Sequence, residues 1–164
     1  MSLDGFIARS DGQLDWLGSV ERAGEDYGYQ KFFDTVDTLI VGRKTYDTAL
    51  GFGAWPYAGK RCIVMTHRGC DSQHGEEFFA GSPGELVMRL SNSSAVHAYV
   101  DGGMIIQQFL TAGLIEQLTL SVLPILLGDG VPLFGPTGRD IPLRLARTKA
   151  FESGLVQLEY GFAS

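Results

Sequence analysis

The sequence predicts an α/β fold: a three-layer α/β/α arrangement with a mostly parallel twisted sheet and an antiparallel C-terminal edge. Short apolar runs alternate with helical patterns through most of the chain, which is the order of βαβ units. These runs are apolar at nearly every position, as strands are when helices cover both faces of a sheet. The C-terminal stretch "LRLARTKAFESGLVQLEYGFA" instead holds two β-rich runs around "ESG", the pattern of an antiparallel hairpin.

Each element follows from a local pattern. The runs that predict strands are "TLIVG", "RCIVMT", "EEFFAG", "VHAYVDG" and the long "EQLTLSVLPILLG"; the stretches that predict helices are "EDYGYQKFFDTV", "RKTYDTAL", "SPGELVMRLSN" and "GMIIQQFLTAG". The first helix has acidic residues in its first turn, which the helix dipole favours. The third begins with Ser82 as N-cap, Pro83 and Glu85, and the fourth ends at Gly113.

Composition limits the size and the partners of the protein. A chain of 164 residues, 45% of them apolar and without a linker, predicts one domain over residues 1–164. The net charge of −6 and the lack of a basic stripe argue against nucleic acid as a partner. No apolar run is long enough to span a membrane and no signal-peptide pattern begins the chain, so we expect a cytoplasmic protein.

The cysteines and histidines do not predict a metal site. The three histidines show neither paired helical spacing nor cysteines at metal-binding spacing. Cys62 lies inside an apolar run and is expected to be a small buried side chain. The alternative, a disulfide to Cys70, has no secretory pattern to support it.

Unusual residues stand at three predicted strand exits, where open α/β sheets bind ligands. The exits are "VGRKT" (Gly42 to Thr45), "VMTHR" (Thr66 to Arg68) and "VDGGMI" (Asp101 to Ile105). Glycines let backbone approach a ligand closely, helix N-termini attract anions, and arginine matches phosphate oxygens. Each exit alone also fits a solvated arginine, a polar loop or a tight turn. Together they predict one extended anion with two charged centres, such as a dinucleotide phosphate.

The motifs resemble those of a known superfamily. "SLDGFIA", "VDTLIVGRKTY", "VMTHR", "VDGGMIIQQFL" and "LTLSVLPILLGDGVPLF" follow one another over nearly the whole chain. In this combination the sequence resembles the dihydrofolate reductase-like superfamily, in the branch related to the RibD C-terminal reductase domain of bacterial riboflavin biosynthesis. The resemblance implies the fold predicted above, NADPH as cofactor, and a small-molecule substrate.

The resemblance also implies roles for the strand exits. Arg43 would contact the adenosine 2′-phosphate, and Thr45 with the amide of Lys44 would face the pyrophosphate. Thr66 and Arg68 would flank the adenine ribose and its phosphate. His67, from the same exit as these two, belongs to the predicted cofactor site as well.

Further cofactor contacts come from two glycine-bearing stretches and from the N-terminal motif. Under the resemblance, Gly102, Gly103 and Met104 would hold the pyrophosphate from the opposite side. Ile7 and Ala8 would hold the nicotinamide carboxamide through their backbone. The predicted cofactor site is completed by Gly42, Asp101 and Ile105.

An acidic residue is expected on the substrate side. Folate-reducing relatives carry one on the first helix, sixteen residues before the glycine of their "GR" motif, and this spacing leads from Gly42 to Asp26. Ser121 aligns with a threonine that bonds to this acid in those relatives. A carboxyl group in an apolar pocket could hold a proton and promote hydride reduction of a C=N bond. The alternative is that Asp26 only favours the helix dipole.

Three further residues are candidates for the substrate pocket. They are Asp4, Trp16 and Gln30. For Asp4 we favour the alternative that it stabilises a turn with Gly5.

Two departures from the family pattern leave the substrate open. Relatives carry an apolar strand before "SLDG", whereas this chain starts at Met1; we expect truncation or compensation, because unpaired backbone groups are costly in a central sheet. "DGG" replaces the three glycines of folate reductases, which favours a ribosylaminopyrimidine over a folate, and an acceptor of neither kind is an equal alternative.

Two predictions concern the whole protein. A non-catalytic NADP(H)-binding module is the alternative to an enzyme. The apolar "LTLSVLPILLGDGVPLF" predicts a homodimer, because it contains more apolar residues than one sheet edge needs.

Overall fold

The computed structural model describes residues 1–69 and 71–162. They group into two compact units: Asp26–Leu114, and Met1–Glu25 with the described part of Ile115–Ser164. One unit is therefore a continuous segment, whereas the other is built from both ends of the chain. The single domain that the sequence predicts stays a prediction.

The described residues form short strands and helices in the predicted order. The strands are β1 (Phe6–Ala8), β2 (Thr38–Gly42), β3 (Arg61–Met65), β4 (Glu77–Phe79), β5 (Ala98–Asp101), β6 (Gln117–Val122), β7 (Val131–Pro132), β8 (Leu143–Ala150) and β9 (Val156–Phe162). The helices are α1 (Tyr29–Thr35), α2 (Arg43–Leu50), α3 (Pro83–Ser91) and α4 (Gly103–Thr111), and a 3-10 helix spans Asp15–Val20.

A four-stranded parallel sheet forms the centre of the unit Asp26–Leu114. Its strand order is β4–β3–β2–β5, and all three pairs are parallel. β2 is central, so both of its neighbours satisfy its backbone groups, and four of its five residues are fully buried. This parallel sheet, together with the antiparallel strands near the C-terminus, confirms the predicted α/β fold.

Helices cover both faces of this parallel sheet. Leu39 and Val41 of β2 point to the face where Tyr46 of α2 and Phe33 of α1 pack. Side chains alternate along a strand, so Gly42 lies on the opposite face, where it meets Ile105 of α4. Burial on both faces explains why these strands read as continuous apolar runs in the sequence.

The helix ends follow the local chemistry, with one correction. α3 has the predicted capping box between Ser82 and Glu85. α1 begins at Tyr29, four residues after the start of the predicted stretch at Glu25, so the predicted acidic residues lie before its first turn. The chain turns at Gly28, which has φ +79°, and the Asp26 carboxylate accepts the N–H groups of Gly28 and Gln30. These bonds favour a turn over an additional helical turn.

The antiparallel strands lie in the other unit. β6, β9 and β8 form a sheet in the order β6–β9–β8, and the predicted hairpin of β8 and β9 is confirmed. The long strand predicted through Pro124 is wrong, since β6 ends at Val122. Proline lacks the N–H that a ladder needs, and the N–H groups of Leu127 and Gly128 bind the Asp4 carboxylate instead.

The first three residues pair with the segment after β6. Ser2 forms a parallel bridge with Leu123, whose N–H donates to the Met1 carbonyl at 2.9 Å. The Leu3 N–H donates to the Ile125 carbonyl at 2.8 Å.

Two findings bear on the remaining sequence predictions. Among residues 1–69 and 71–162, no helix is long and apolar enough to cross a membrane. The Cys62 side chain is buried and its thiol is free, and burial raises its pKa to about 12. Cys70, the other half of the alternative disulfide, lies outside the described residues.

Candidate functional site

The junction between β2 and α2 presents helix N–H groups beside cationic side chains. β2 ends at Gly42, which is also the N-cap of α2 and has no side chain with which to cap the helix. The first N–H groups of a helix need acceptors from outside it, and they form its positive pole. Arg43 and Lys44 add two cationic side chains at this pole. The junction is therefore suited to an anion.

The junction between β5 and α4 repeats this arrangement. Asp101 is the last residue of β5, and Gly102 is the N-cap of α4. Gly102 has φ +96° and ψ 126°, a conformation that side-chain-bearing residues rarely adopt. The next residue is Gly103. Two successive residues therefore lack a Cβ, which allows a ligand to approach the backbone closely.

The two junctions touch each other. A Cβ on Gly102 would lie 2.4 Å from Thr45 Oγ1, and a Cβ on Gly42 would lie 2.9 Å from Ile105 Cγ1. Both distances are too short for non-bonded atoms, so each glycine is required by the close approach of α2 and α4. Two helix N-termini consequently open next to each other at the carboxyl edge of one parallel sheet. We call this arrangement, formed by Gly42–Thr45 and Gly102–Ile105, the glycine cradle.

Arg43 is held in place on the surface of α2. Its Nε donates to Asp47 Oδ1 at 2.8 Å, one turn further along the helix. Its guanidinium carbon lies 5.9 Å from the centre of the Tyr46 ring. The side chain stays 36% exposed, so a ligand at the start of α2 can reach it.

The third strand exit lies at the same sheet edge. Gly42 pairs in register with Met65, so Thr66 follows one residue beyond the end of β2. The Thr66 hydroxyl accepts the N–H of Arg68 at 3.0 Å, which forms a tight polar turn. His67 and Arg68 are exposed. The three exits that the sequence singles out are thus brought to one edge, whereas their contacts to a cofactor stay a prediction.

Met104 and Ile105 of the predicted cofactor site have opposite environments. Met104 is 68% exposed at the start of α4, as expected for an apolar side chain that a bound molecule would cover. Ile105 is buried against Gly42. The Ile105 side chain therefore packs inside the cradle and is not available to a ligand.

A polar cluster adjoins the cradle and joins Asp101, from the predicted cofactor site, to Tyr57, which the sequence did not single out. Asp101 is half-buried, its Oδ1 accepts the Gly102 N–H at 2.8 Å, and the Tyr57 hydroxyl donates to its carboxyl group. Burial raises the pKa of Asp101, although the hydrogen bonds from Gly102 and Tyr57 oppose this shift. Burial also raises the pKa values of Tyr57 and Tyr99, and the Asp101 charge adds to both shifts.

Sequence reasoning missed Tyr57 because it lies in the irregular "GFGAWPYAG" loop. Its burial within this loop is the feature that distinguishes it. In the sequence, Tyr57 is only a tyrosine in a glycine-rich segment, and this pattern alone does not indicate a functional residue.

The apolar pocket that the sequence predicts around Asp26 is wrong. Asp26 is exposed, and its carboxylate accepts the N–H groups of Gln30 at 3.0 Å and Gly28 at 2.8 Å. These bonds lower its pKa, so the group is ionised where a proton donor is needed. Gln30 is exposed too, and its side-chain amide donates to Asp34. The alternative, a helix-start role for Asp26, is the one that these bonds support.

Ile7 and Ala8 lie in the other unit, at an irregularity of β1. Phe6 pairs with Pro132 and Ala8 with Val131, so Ile7 is the additional residue of a β-bulge. A Cβ on Gly130 would lie 2.3 Å from the Ala8 carbonyl oxygen, so the two backbones are in close contact. A bulge leaves backbone groups outside the ladder, as the predicted carboxamide contact requires. The contact itself stays a prediction.

The other predicted residues of this unit differ in their environment. Asp4 accepts the Ser2 hydroxyl at 2.6 Å and the N–H groups of Leu127 and Gly128, bonds that support a structural role, and the turn with Gly5 stays a prediction. Ser121 is half-buried, and its hydroxyl accepts the Gln157 amide at 3.2 Å. Trp16 is only 3% exposed, and its indole N–H has no acceptor among the described residues. A buried donor without a partner is costly, so Trp16 is a candidate ligand contact.

Comparisons with known proteins identify the family of the chain. The model of the RibD C-terminal domain matches residues 57–157. The chain belongs to the RibD C-terminal domain family. The protein YwjB of Bacillus subtilis strain 168, which is uncharacterized, is 36% identical over 98% of this chain and 92% of its own length. This relative supports the family and supplies no activity.

Solved structures share the fold of this RibD-type chain. A protein of Shewanella sp. PV-4, provisionally named a riboflavin biosynthesis protein, has a TM-score of 0.94 and 33% identity over 100% of this chain and 96% of that one. Dihydrofolate reductase from Enterococcus faecalis, complexed with NADP(H) and RAB-propyl, has a TM-score of 0.67 and 16% identity over 100% of this chain and 93% of its own. The predicted superfamily and branch are therefore confirmed, and the second similarity concerns the fold alone.

The cradle makes a prediction about Gly102. We expect Gly102→Ala to lower the free energy of unfolding by more than about 1 kcal/mol, because the backbone conformation disfavours a side chain and the new Cβ would clash with Thr45. Urea denaturation measures the change. Gly84→Ala is the control, since Gly84 lies in α3 with free space around it and should tolerate alanine. Equal stability of the two variants would contradict a tight contact between α2 and α4.

Proposed function

We propose that this protein is an NADPH-dependent reductase of a pterin-like or ribosylaminopyrimidine-like small molecule. The observation that carries the proposal is the glycine cradle, in which the N-termini of α2 and α4 meet at the Thr45–Gly102 contact. Two helix poles at one place suit a pyrophosphate, which carries charge on two adjacent phosphates. Membership of a reductase family supports the same ligand class.

The choice of NADPH over NADH rests on local positive charge. The chain as a whole carries a net charge of −6, yet Arg43, Lys44 and Arg68 all lie at the carboxyl edge of the parallel sheet. Arginine binds phosphate oxygens in a planar, two-pronged geometry. We therefore assign Arg43 to the additional phosphate of NADPH. The bound NADP(H) in the dihydrofolate reductase of shared fold is consistent with this assignment.

The chain's own contribution to the reaction is a proton. Bound NADPH supplies a hydride, and reduction of a C=N bond also needs a proton on nitrogen. Asp101 is suited to donate it, because burial keeps its carboxyl group protonated to higher pH than usual. The Tyr57 hydroxyl orients the carboxyl group. Asp101 replaces Asp26 as the proposed acid.

The substrate is proposed by class. The Shewanella relative bears a name from riboflavin biosynthesis, which favours an aminopyrimidine acceptor over a folate. The cytoplasmic location predicted from the sequence stays a prediction.

One prediction of the proposed function concerns the coenzyme. We expect Arg43→Ala to weaken NADPH binding by about 1–3 kcal/mol, the contribution of a charge-assisted bond, and to leave NADH binding nearly unchanged. Fluorescence titration of the reduced nicotinamide with each coenzyme measures both affinities. Equal losses for NADPH and NADH would show that Arg43 does not contact the additional phosphate.

Another prediction of the proposed function concerns the proton donor. We expect kcat/KM with a reducible pterin or aminopyrimidine to fall as pH rises through the pKa of Asp101, because only the protonated carboxyl group donates. Tyr57→Phe removes a hydrogen bond that lowers this pKa, so the fall should move to higher pH. Asp101→Asn should reduce the rate by about 100- to 10,000-fold and remove the fall.

Asp26→Asn separates the two candidate acids. This variant should keep the pH profile, since its carboxylate only binds backbone N–H groups near the start of α1. Loss of the pH-dependent fall in Asp26→Asn, with Asp101→Asn unaffected, would reverse the assignment. NADPH binding without turnover of any acceptor would favour the non-catalytic module.

A homodimer is the third part of the proposal. β8 is one of the two edge strands of its sheet, and all eight of its residues are exposed. It carries Leu143 and Leu145, which are 41% and 50% exposed, together with the cations Arg144, Arg147 and Lys149. The unpaired N–H and C=O groups of an exposed edge strand can pair with another chain, and the cations on β8 oppose such pairing. We expect light scattering to give twice the monomer mass, and Leu145→Lys to shift the protein to monomer. A monomeric wild-type protein would exclude the dimer.

A further inference from the structure

The buried carboxylate of Glu76 is the feature from which the inference starts. Glu76 is only 5% exposed, and none of the ion pairs among residues 1–69 and 71–162 includes it. Four groups donate hydrogen bonds to it: the Tyr46 hydroxyl, the Ser72 hydroxyl at 3.1 Å, and the N–H groups of Gln73 at 2.9 Å and His74 at 2.7 Å. Burial alone would raise its pKa, but these hydrogen bonds lower it to about 2. The carboxylate is thus a buried charge near neutral pH, and its four hydrogen bonds offset the cost of burying it.

Tyr46 connects this carboxylate to the candidate site. Tyr46 lies on α2, is 1% exposed, and packs edge-on against Trp55 and Phe78. The outer side of its ring faces Arg43, whose guanidinium carbon lies 5.9 Å from the ring centre. The hydroxyl end is held by Glu76 and the ring by its aromatic neighbours, and both restrain the ring beside Arg43.

We propose that Glu76 is a positioning residue for coenzyme selection, which acts through Tyr46 to hold the Arg43 guanidinium at the start of α2. The inference rests on the proposed function, since it assigns Arg43 to the additional phosphate of NADPH. Asp47 binds Nε of Arg43, and the Tyr46 ring supplies the second support for the guanidinium. A hydrogen bond from the Tyr46 hydroxyl to an anion also increases electron density on the ring, which strengthens its attraction for a cation.

Two conservative variants test the positioning role. Glu76→Gln keeps the shape of the side chain and removes its charge, whereas Tyr46→Phe keeps the ring and removes the hydroxyl. For each variant we expect the Kd of NADPH to rise about threefold to tenfold, the Kd of NADH to change less than twofold, and kcat at saturating NADPH to be unchanged. Titration of nicotinamide fluorescence with both coenzymes measures the ratio. A purely structural role would weaken both coenzymes equally.

Glu77→Gln is the matched control for Glu76→Gln. Glu77 is the next residue, and its carboxylate bonds to Arg61 and Arg89 at 2.6 Å each. Its loss should lower the melting temperature and leave the NADPH-to-NADH ratio unchanged. In an Arg43→Ala background, Glu76→Gln should not change the ratio further, because the group that it positions is absent. A further change there would show that Glu76 acts on the coenzyme by another route.

The outcomes separate this inference from the proposed function. If the wild-type protein prefers NADPH and both Glu76→Gln and Tyr46→Phe keep that preference, the positioning role is wrong and the proposed function stands. If the wild-type protein binds both coenzymes equally or binds neither, the assignment of Arg43 fails and the inference fails with it. If Glu76→Gln does not fold, Tyr46→Phe alone decides, because it preserves the packing of the ring.

Discussion

The contact between Thr45 and Gly102 is the constraint on which the rest of the candidate site depends. It brings the first turns of α2 and α4 so close that a Cβ has no room at Gly102. The contact is a consequence of the parallel register in which Val41 lies opposite Asp101, because β2 and β5 then end at the same level. The helices that follow must start side by side. An anion-binding place is therefore built into the topology, and the glycines allow the backbone to form it.

The same turn determines the environment of the proposed acid. Asp101 is the last residue of β5 and Gly102 is the first residue outside it, so the carboxyl group and the glycine cradle share one backbone segment. The backbone at the start of α4, where a molecule would bind, therefore directly follows a half-buried carboxyl group. By contrast, the Asp26 carboxylate accepts hydrogen bonds from the backbone N–H groups of Gly28 and Gln30 near the start of α1. The two residues differ in position and in pKa, which hydrogen bonds lower for Asp26 and burial raises for Asp101.

The sequence predicted the sheet and the location of the cradle well, and it predicted individual side-chain environments poorly. Continuous apolar runs identify β2 and β3, and glycine with cations at the strand exits identifies the cradle, because both are local patterns. The Asp26 pocket was wrong because its spacing from Gly42 says nothing about the turn at Gly28, which uses the carboxylate. Tyr57 and Glu76 were missed because their burial depends on the packing of irregular loops. Pro124 ended β6 early because a missing N–H outweighs an apolar pattern.

Glu76, which is buried, and Asp101, which is half-buried, show how hydrogen bonding determines whether a carboxyl group is ionised. Glu76 receives four hydrogen bonds, which outweigh burial and keep it ionised. Asp101 receives bonds from Gly102 and Tyr57, and burial prevails, so its pKa is raised. A carboxylate that is always ionised can fix neighbouring groups but cannot exchange a proton near neutral pH. A carboxyl group with a raised pKa can exchange one. Glu76 is thus suited to a structural task and Asp101 to proton transfer. The number of hydrogen-bond donors around each carboxyl group determines which of the two tasks it can perform.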